Sequence, residues 1–329
     1  MVRPMRPRQR TEAPSWSPPG TSPCGGGPTV FDVRIAVTGS HGLIGSALVA
    51  RLRADGDDAV PLVRSSPSAG EIGWDPRAGR LDPRSLVGVD AVVNLAGAGI
   101  GDRRWTDEYK RVVVESRTRG TTLLAEAVAA LDDGPRTLLS ASATGFYGDR
   151  GDEELEEDST PGSGFLTEVV LQWEASTAAA ERAGARVVHL RTGIVLAAHG
   201  GALGKLLPLF RFGLGGRFGN GRQWMSWISL EDEVGAIVHL LHSALSGPVN
   251  LTAPAPVRNA ELAATLGRVL RRPAVLPVPA FGPKLVLGAE RAGALLLEGQ
   301  RVLPSKLLAD GYRFAHPTLE GALRAALGR

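Results

Sequence analysis

Apolar runs that alternate with amphipathic segments divide the chain from about residue 32 onward into strands and helices. Residues 33–37, "VRIAV", form a short apolar strand before a glycine-rich turn, and the apolar positions of the next segment follow helical spacing. Residues 90–97, "DAVVNLAG", form a continuous apolar run, which is typical of a parallel strand buried on both faces. Further strands are predicted at "DAVPLVR", "RTLLSASA" and "ARVVHLRTGIVL", with a weaker candidate at "EIGW".

Strands that alternate with helices predict an α/β fold, a Rossmann-type doubly wound parallel sheet. The pattern loosens after residue 196, where glycine-rich sequence surrounds a helical insert. We therefore expect a nucleotide-binding core over residues 31–196 and a smaller C-terminal substrate lobe over 197–329. The lobe is expected to close over the carboxyl ends of the strands, where open α/β sheets bind ligands. Within it, a helix and strand over 229–250 are expected to return to the core.

Residues 1–30 differ in composition from the rest of the chain. They are rich in proline, glycine and serine without periodicity, which predicts a disordered arm. The arm has four arginines and one glutamate, so it carries the whole net charge of +3 and the remaining chain is neutral. A neutral body argues against a nucleic-acid partner, because nucleic-acid surfaces need clustered cations.

Other compositional features narrow the class further. No window approaches the roughly 18 uninterrupted apolar residues that a membrane span needs, so no membrane partner is expected. The only cysteine, Cys24, lies in the arm, which excludes a disulfide within the folded body. The six histidines show no metal-ligand spacing, so no metal site is predicted. The cytoplasm is the expected compartment, and a homodimer is one option for the oligomeric state.

The glycine-rich turn carries the strongest functional signal. Gly39, Gly42 and Gly45 have the spacing G-x-x-G-x-x-G directly between the first strand and its helix. Such glycines permit a tight turn, a close approach of backbone amides to a pyrophosphate, and close packing of helix on strand. Free N–H groups at the helix N-terminus then favour the anion. The pattern predicts a dinucleotide site.

The residue after the second strand indicates which dinucleotide binds. An acidic residue there would bond the ribose 2′-hydroxyl of NAD, but the sequence has Arg64. A guanidinium favours a 2′-phosphate, so NADP(H) is preferred over NAD. The alternative is that Arg64 is an ordinary solvated residue at a strand end.

The motifs "VTGSHGLIG", "NLAG", "SASATGFYG" and "LRTGIVL", in this order, resemble the extended short-chain dehydrogenase/reductase superfamily. Together with "GRQWMSWISLEDEVGAI" and "RVLPSKLLADGYRFAHPTLEGAL", they resemble more closely its atypical epimerase-like branch, with NAD-dependent epimerase/dehydratase and cell-division inhibitor-like members. The resemblance covers about residues 33–328. It implies a serine beside the reacting oxygen at Ser142 and a nicotinamide neighbour at Ile194. It also implies contacts with the rest of the cofactor at Gly39, Ser40, Gly42, Leu43, Ile44, Leu95, Ala96 and Gly97.

One departure from that superfamily puts the chemistry in doubt. Its members carry a catalytic tyrosine and, four residues later, a lysine that lowers the phenol pKa and holds the ribose. Here those positions are Phe165 and Val169, and a register shifted by one also supplies no proton donor. None of the three tyrosines of the chain has a lysine at that spacing. The usual mechanism is therefore absent.

Several residues are candidates to replace the missing pair, each with a structural alternative. Arg117 is a candidate for polarising a carbonyl or clamping an acidic substrate, or else it faces solvent. Tyr147 is a candidate proton donor, or else it packs structurally. The tryptophans are candidate walls of a substrate pocket, or else they lock the lobe onto the sheet; they are Trp105, Trp224 and Trp227.

Two functions follow from these residues. The first is an NADP(H)-dependent oxidoreductase or epimerase with a rearranged proton path, acting on a small carbonyl or sugar-like substrate. Hydride transfer requires a cofactor held against an acceptor in a dry cleft, and the protein contributes positioning and electrostatics. The second is a non-catalytic NADP(H)-binding regulator or scaffold, for which the resemblance implies a link to cell division. We take the first as the working hypothesis, because Ser142 is present at its expected place.

Overall fold

A parallel sheet of seven strands forms the centre of the computed structural model, which describes residues 33–64 and 66–329. The predicted arm, with Cys24, lies outside the described residues. Six further short strands pair outside the main sheet. The strands are β1 (Arg34–Thr38), β2 (Asp58–Val63), β3 (Ile72–Gly73), β4 (Ala91–Asn94), β5 (Thr137–Ala143), β6 (Glu154–Leu155), β7 (Arg186–Thr192), β8 (Ile194–Leu196), β9 (Trp224–Met225), β10 (Trp227–Ser229), β11 (Gly247–Leu251), β12 (Val257–Arg258) and β13 (Arg301–Val302).

The strand order of the main sheet is β11-β7-β5-β4-β1-β2-β3, and every neighbouring pair is parallel. The chain runs outward from β1 to β3 and then crosses back to β4 on the other side of β1. The strand order therefore reverses between β1 and β4, which is the position where doubly wound sheets bind ligands. The predicted Rossmann-type fold is confirmed.

Helices cover both faces of this sheet. Successive side chains of β1 point to opposite faces and join different apolar cores. Ile35 and Val37 belong to a core that includes residues of the helices at 43–55 and 230–242, whereas Ala36 belongs to a core with the helix at 107–129. The α-helices are α1 (Leu43–Asp55), α2 (Asp107–Ala129), α3 (Phe165–Ala175), α4 (Ala178–Arg182), α5 (Gly201–Arg211), α6 (Leu230–His242), α7 (Asn259–Leu270), α8 (Phe281–Leu287), α9 (Ala289–Ala292), α10 (Ser305–Ala309) and α11 (Leu319–Leu327).

The C-terminal part of the chain builds a third apolar core and also returns to the sheet. Side chains of α5, α7 and α11 surround Trp227 in the third core. In this part of the chain, α6 packs on α1 and β11 pairs with β7. No helix of the described residues is long and apolar enough to span a membrane.

Two details of the strands differ from the sequence pattern. The weak candidate "EIGW" yields only the two-residue edge strand β3. The run "ARVVHLRTGIVL" is interrupted at Gly193, which separates β7 from β8. A side chain at Gly193 would begin 2.4 Å from the carbonyl oxygen of Ser226, so the glycine lets β10 approach and pair with β8.

A candidate dinucleotide site at the carboxyl edge of the sheet

The glycine loop between β1 and α1 adopts the geometry that a pyrophosphate requires. Gly39 has a positive φ of 65°, and the Gly42 amide donates to the Gly39 carbonyl at 2.8 Å, which closes the turn. A side chain at Gly45 would begin 2.2 Å from that same carbonyl oxygen. The loop leads directly into α1, whose first N–H groups have no partner within the helix. The loop thus presents donors at a helix N-terminus with no side chain in the way.

A buried hydrogen-bond chain holds the facing loop after β4 against this turn. The Thr38 hydroxyl donates to Asn94 Oδ1 at 2.8 Å and accepts the amides of Leu95 and Ala96. The Leu95 carbonyl oxygen lies 2.8 Å from where a Gly39 side chain would begin. Leu95 and Ala96 therefore lie beside the glycine loop, and the exposed Gly97 follows them.

The other predicted cofactor residues occupy the same edge. Arg64 follows the end of β2 and is exposed, without an ion pair among the described residues. Ser40 is buried within the loop, while Leu43 packs against Gly200 and Gly201 at the start of α5. Ile194 begins β8 and is partly buried. These placements put the residues around one edge of the sheet and leave their contacts with a ligand as predictions.

Arg117 lies beneath the loop after β4 and not on the open surface of α2. Its Nη1 donates to the carbonyls of Ala98 and Val113, both at 3.0 Å, and its guanidinium lies 4.9 Å from the ring centre of Trp173. Burial lowers the pKa of Arg117 to about 10. It forms no ion pair with any described carboxylate. A half-buried cation beside Gly97 is thus available to an anion or a carbonyl oxygen at this edge.

Ser142 is tied to a residue that the sequence reasoning did not single out. Its hydroxyl donates to Glu174 Oε1 at 2.6 Å. The Glu174 carboxylate also accepts two bonds from Arg191 on β7, at 2.8 and 2.9 Å. This bonding lowers the pKa of Glu174, against the effect of its burial. Since the single hydroxyl hydrogen of Ser142 is already used, its oxygen can accept a hydrogen bond from a substrate but cannot donate one.

Tyr147 belongs to the same buried network. Its hydroxyl donates to Asn250 Oδ1 at 2.7 Å and accepts from Arg191 at 3.1 Å, and no part of the residue is exposed. Burial raises the pKa of Tyr147. These contacts favour the structural alternative for Tyr147, because its proton is committed and no substrate can reach it.

The positions of the missing tyrosine and lysine lie in a small apolar cluster. Val169 is buried with Tyr109 and Val113, and the Phe165 ring meets Trp105 edge-on at 5.0 Å. A cation is nearby, since the Lys110 ammonium lies 5.0 Å from the centre of the Phe165 ring. That ammonium, however, pairs with Glu290 at 2.6 Å. The cluster offers neither a phenol nor a free amine at the usual place.

The three candidate pocket tryptophans are in three different surroundings. Trp105 is half-buried in this apolar cluster. The Trp224 ring lies between the guanidinium groups of Arg258 and Arg301, with centroid distances of 3.9 and 4.9 Å. Trp227 is 0% exposed and donates to the Ala255 carbonyl at 3.0 Å. Trp227 has no surface left for a ligand, so its contacts favour a role in locking the lobe.

A second buried acid, Glu233, was not among the residues that the sequence suggested for function. Glu233, in the first turn of α6, is fully buried and accepts a bond from Thr192 at the end of β7, at 2.8 Å. Its other carboxyl oxygen has no hydrogen-bond partner in the described residues. Burial raises the pKa of Glu233 to about 8, so the carboxyl is protonated at neutral pH. The sequence "LEDEV" reads as an ordinary solvated first turn and gives no hint of this.

The fold, its switch point and the glycine loop define a protein of the extended short-chain dehydrogenase/reductase class. More particularly, the chain belongs to the NAD dependent epimerase/dehydratase family, whose model matches residues 35–251. Residues 278–326 match a domain of unknown function, DUF1731. The resemblance drawn from the sequence motifs is thereby confirmed.

Similar proteins occur in bacteria and in humans. An epimerase family protein of Mycobacterium leprae is 46% identical over 297 residues, covering 90% of this chain and 96% of that protein. The crystal structure of the human epimerase family protein SDR39U1 with NADPH has a TM-score of 0.83 at 36% identity, covering 90% of this chain and 99% of that one. A nucleoside-diphosphate sugar epimerase from Corynebacterium glutamicum has a TM-score of 0.75 at 38% identity, covering 91% of this chain and 60% of that one.

Proposed function

We propose that this protein is an NADP(H)-dependent oxidoreductase or epimerase that acts on a small carbonyl or sugar-like substrate. The observation that carries the proposal is the cradle between β1 and α1, where side chains at Gly39 and Gly45 would collide with backbone atoms 2.8 and 2.2 Å away. Such a cradle at a helix N-terminus fits a pyrophosphate. NADPH in the crystal of the human relative supports the choice of ligand.

Arg64 supports the preference for the phosphorylated cofactor. In the parallel pairing, Thr38 lies opposite Leu62, so the residues that follow Thr38 in the glycine loop lie level with Arg64. No carboxylate of the described chain neutralises the Arg64 guanidinium, and a 2′-phosphate would supply the missing negative charge. When bound, NADPH would donate a hydride to a carbonyl substrate, and NADP⁺ would accept one from an alcohol substrate.

Three residues of this chain would each have a separate role in the reaction. Arg117, held by two backbone carbonyls, places a cation beside the loop at 95–98, where it would stabilise negative charge on a substrate oxygen. Ser142 would accept a hydrogen bond from a substrate hydroxyl, because Glu174 fixes its hydrogen. Tyr147 would hold this network in place, and the proton would come from solvent.

One observation favours the second function, a non-catalytic NADP(H)-binding regulator or scaffold. Phe165 and Val169 pack with Trp105, Tyr109 and Val113 where catalytic members of the superfamily need a polar cleft. The phenol of Tyr109 in this cluster donates to the Gly99 carbonyl at 2.6 Å, so the cluster supplies no free acid or base. Nucleotide binding needs only the opposite end of the site.

A dinucleotide titration tests the cofactor. The purified full chain is titrated with NADPH, NADH, NADP⁺ and NAD⁺, with fluorescence as the readout, and the titration is repeated with Arg64→Ala. We expect NADPH to bind more tightly than NADH and Arg64→Ala to remove that preference. Arg84→Ala serves as the matched control, since Arg84 is also exposed and lies in the 3₁₀ turn before β4. If none of the four dinucleotides binds, the proposal is wrong.

A second experiment separates the enzyme from the regulator. NADPH oxidation is followed with a panel of small aldehydes, ketones and keto-sugars, using the wild-type chain and Arg117→Gln. An oxidoreductase should oxidise NADPH with at least one of these, whereas an epimerase returns the hydride and should instead isomerise a sugar without net oxidation of NADPH. In either case Arg117→Gln should slow turnover while retaining NADPH binding. Tight NADPH binding without turnover on any substrate would favour the regulator.

A further inference from the structure

The C-terminal lobe exposes an unusual amount of apolar side chain. Twelve large hydrophobic residues of the described chain are exposed, and eight of them lie within residues 209–214 and 275–286. Five of these are between 73% and 80% exposed, more than any other large hydrophobic residue described. Scattered single residues of this kind are normal, whereas a concentration marks an interaction surface. The eight are Leu209, Phe212, Leu214, Val275, Leu276, Phe281, Leu285 and Val286.

The two segments lie side by side, which places the eight residues on neighbouring stretches of the lobe. The Val278 amide donates to the Arg217 carbonyl at 2.8 Å, and the Gly219 amide donates to the Val278 carbonyl at 2.9 Å. The Pro273 ring lies 3.3 Å from where a Gly213 side chain would begin. Helix α8 follows directly, with Phe281 and Leu285 one helical turn apart.

Only cations accompany these apolar residues along the chain. Residues 193–230 and 262–289 contain no aspartate or glutamate. Five basic residues next to the exposed side chains are themselves exposed, and none of them forms an ion pair with a described residue. They are Arg211, Arg217, Arg271, Arg272 and Lys284. The eight apolar and five basic residues together are called the basic apolar face below.

We infer that the basic apolar face binds the surface of an anionic lipid membrane. Aliphatic and aromatic side chains exposed at 73–80% gain free energy by entering the interface between headgroups and acyl chains. Cations beside them are attracted to acidic headgroups. On α8, Lys284 immediately precedes Leu285, so its ammonium can stay at the headgroups while the apolar side chains enter.

The charge of this face argues against a second copy of the chain and against a nucleic acid as its partner. A two-fold dimer through this face would bring the five cations of one copy close to those of the other. Glu298 offsets only Lys284, and the four arginines form no ion pair with a described acid. A nucleic acid would meet the cations but would leave the aliphatic side chains without a partner. An anionic bilayer offers acidic headgroups to the cations and an apolar interior to the aliphatic and aromatic side chains.

The expectation of no membrane partner rested on the absence of a spanning segment. A protein that lies on a bilayer needs none, because its apolar side chains enter only the outer layer of the membrane. The sequence alone does not reveal this face, since "LPLFRFGLG" and "RRPAVLPVPAFGPKLVLG" read as ordinary lobe sequence until their exposure is known.

Vesicle sedimentation of the full chain tests the inference. Vesicles of phosphatidylcholine alone are compared with vesicles of phosphatidylcholine and phosphatidylglycerol, at low and high salt. Two double variants alter the face, Phe281→Ser with Leu285→Ser and Arg271→Gln with Arg272→Gln. Matched controls change exposed residues elsewhere, Val87→Ser with Leu171→Ser and Arg111→Gln with Arg182→Gln.

We expect binding to the acidic vesicles only, weakened by salt. The loss should be at least tenfold for the apolar double variant and roughly 25-fold for the arginine pair, at about fivefold per arginine. The control variants should bind like the wild type. The inference is overturned if no vesicles are bound, if neutral vesicles bind equally well, or if the variants of the face bind unchanged, which would place the binding elsewhere. A dimer that the Phe281/Leu285 variant dissociates would also overturn it, in favour of a second copy of this chain.

Discussion

Both carboxylate oxygens of Glu174 contact the guanidinium of Arg191, at 2.8 and 2.9 Å, and this ion pair joins α3 to β7 inside the protein. Only 4% of the Arg191 side chain and 12% of the Glu174 side chain are exposed. The pair also fixes Ser142 and Tyr147, two of the three residues that the sequence suggested for catalysis. Breaking this ion pair should therefore affect both the stability of the protein and the geometry of the site.

Glu174→Gln should destabilise the protein by about 3 kcal/mol, because it leaves the Arg191 cation buried without a counter-charge. Urea unfolding of both proteins measures the difference. Glu153→Gln is the matched control, since its pair with Arg150 is exposed and should contribute less than about 1 kcal/mol. Equal losses of unfolding free energy in the two variants would show that the buried pair contributes no more to stability than the exposed one.

Glu233 should make stability depend on pH. Its pKa is about 8 in the folded protein against an ordinary 4.5, so the native state binds the extra proton between these values. The contribution is complete below about pH 4.5, and stability falls as the pH rises toward 8, by a few kcal/mol. Denaturation at several pH values across this window should show that slope.

Glu233→Gln should flatten the slope, because an amide does not titrate and still offers an oxygen to Thr192. Glu261→Gln, at an exposed glutamate of α7, is the control and should keep the slope. A slope that persists in Glu233→Gln would assign the pH dependence to another group.

Gly45→Ala should impair nucleotide binding and folding together. The new methyl group would begin 2.2 Å from the Gly39 carbonyl oxygen, and either the loop or α1 must move. We expect at least a tenfold rise in the NADPH Kd and a loss of about 1–3 kcal/mol in stability. Gly282→Ala is the control, since nothing lies within 4 Å of its new methyl group. An unchanged Kd in Gly45→Ala would mean that the cofactor binds elsewhere.

Trp227→Phe tests whether this tryptophan faces a ligand or locks the lobe. The substitution removes its hydrogen bond to the Ala255 carbonyl and leaves a small cavity, so a loss of about 2 kcal/mol in stability is expected. The NADPH Kd should not change. A higher NADPH Kd with unchanged stability would instead show that Trp227 lines the ligand pocket.

The fold was largely predictable because its signals are local. Strand β1, the glycine turn and α1 occupy 22 consecutive residues, Arg34–Asp55, and each part has a pattern of its own. Gly193 was harder to interpret. A glycine inside an apolar run gives no warning that another strand approaches there, because the approaching residue, Ser226, is 33 positions away.

The site was predictable only where backbone geometry defines it. The glycine loop follows from residue spacing, whereas the surroundings of Ser142 depend on Glu174 and Arg191, which are far from it in sequence. One signal was available, since Arg191 lies next to Leu190 in a strand of the buried sheet and a buried cation there requires a partner. The sequence does not reveal which acid that partner is.

The last part of the chain donates backbone hydrogen bonds to acids buried in the earlier part. Asp232 accepts the amides of Ala315 and His316, and Glu157 accepts the amide of Lys306. While the protein is being synthesised, Asp232 and Glu157 lack these late amide donors even after every strand of the main sheet has left the ribosome, and keep only earlier partners such as Ser229 and Asn250. The nascent sheet must therefore wait for roughly sixty more residues before its polar interior is complete, and a translation pause in that interval would expose an unfinished core to proteases.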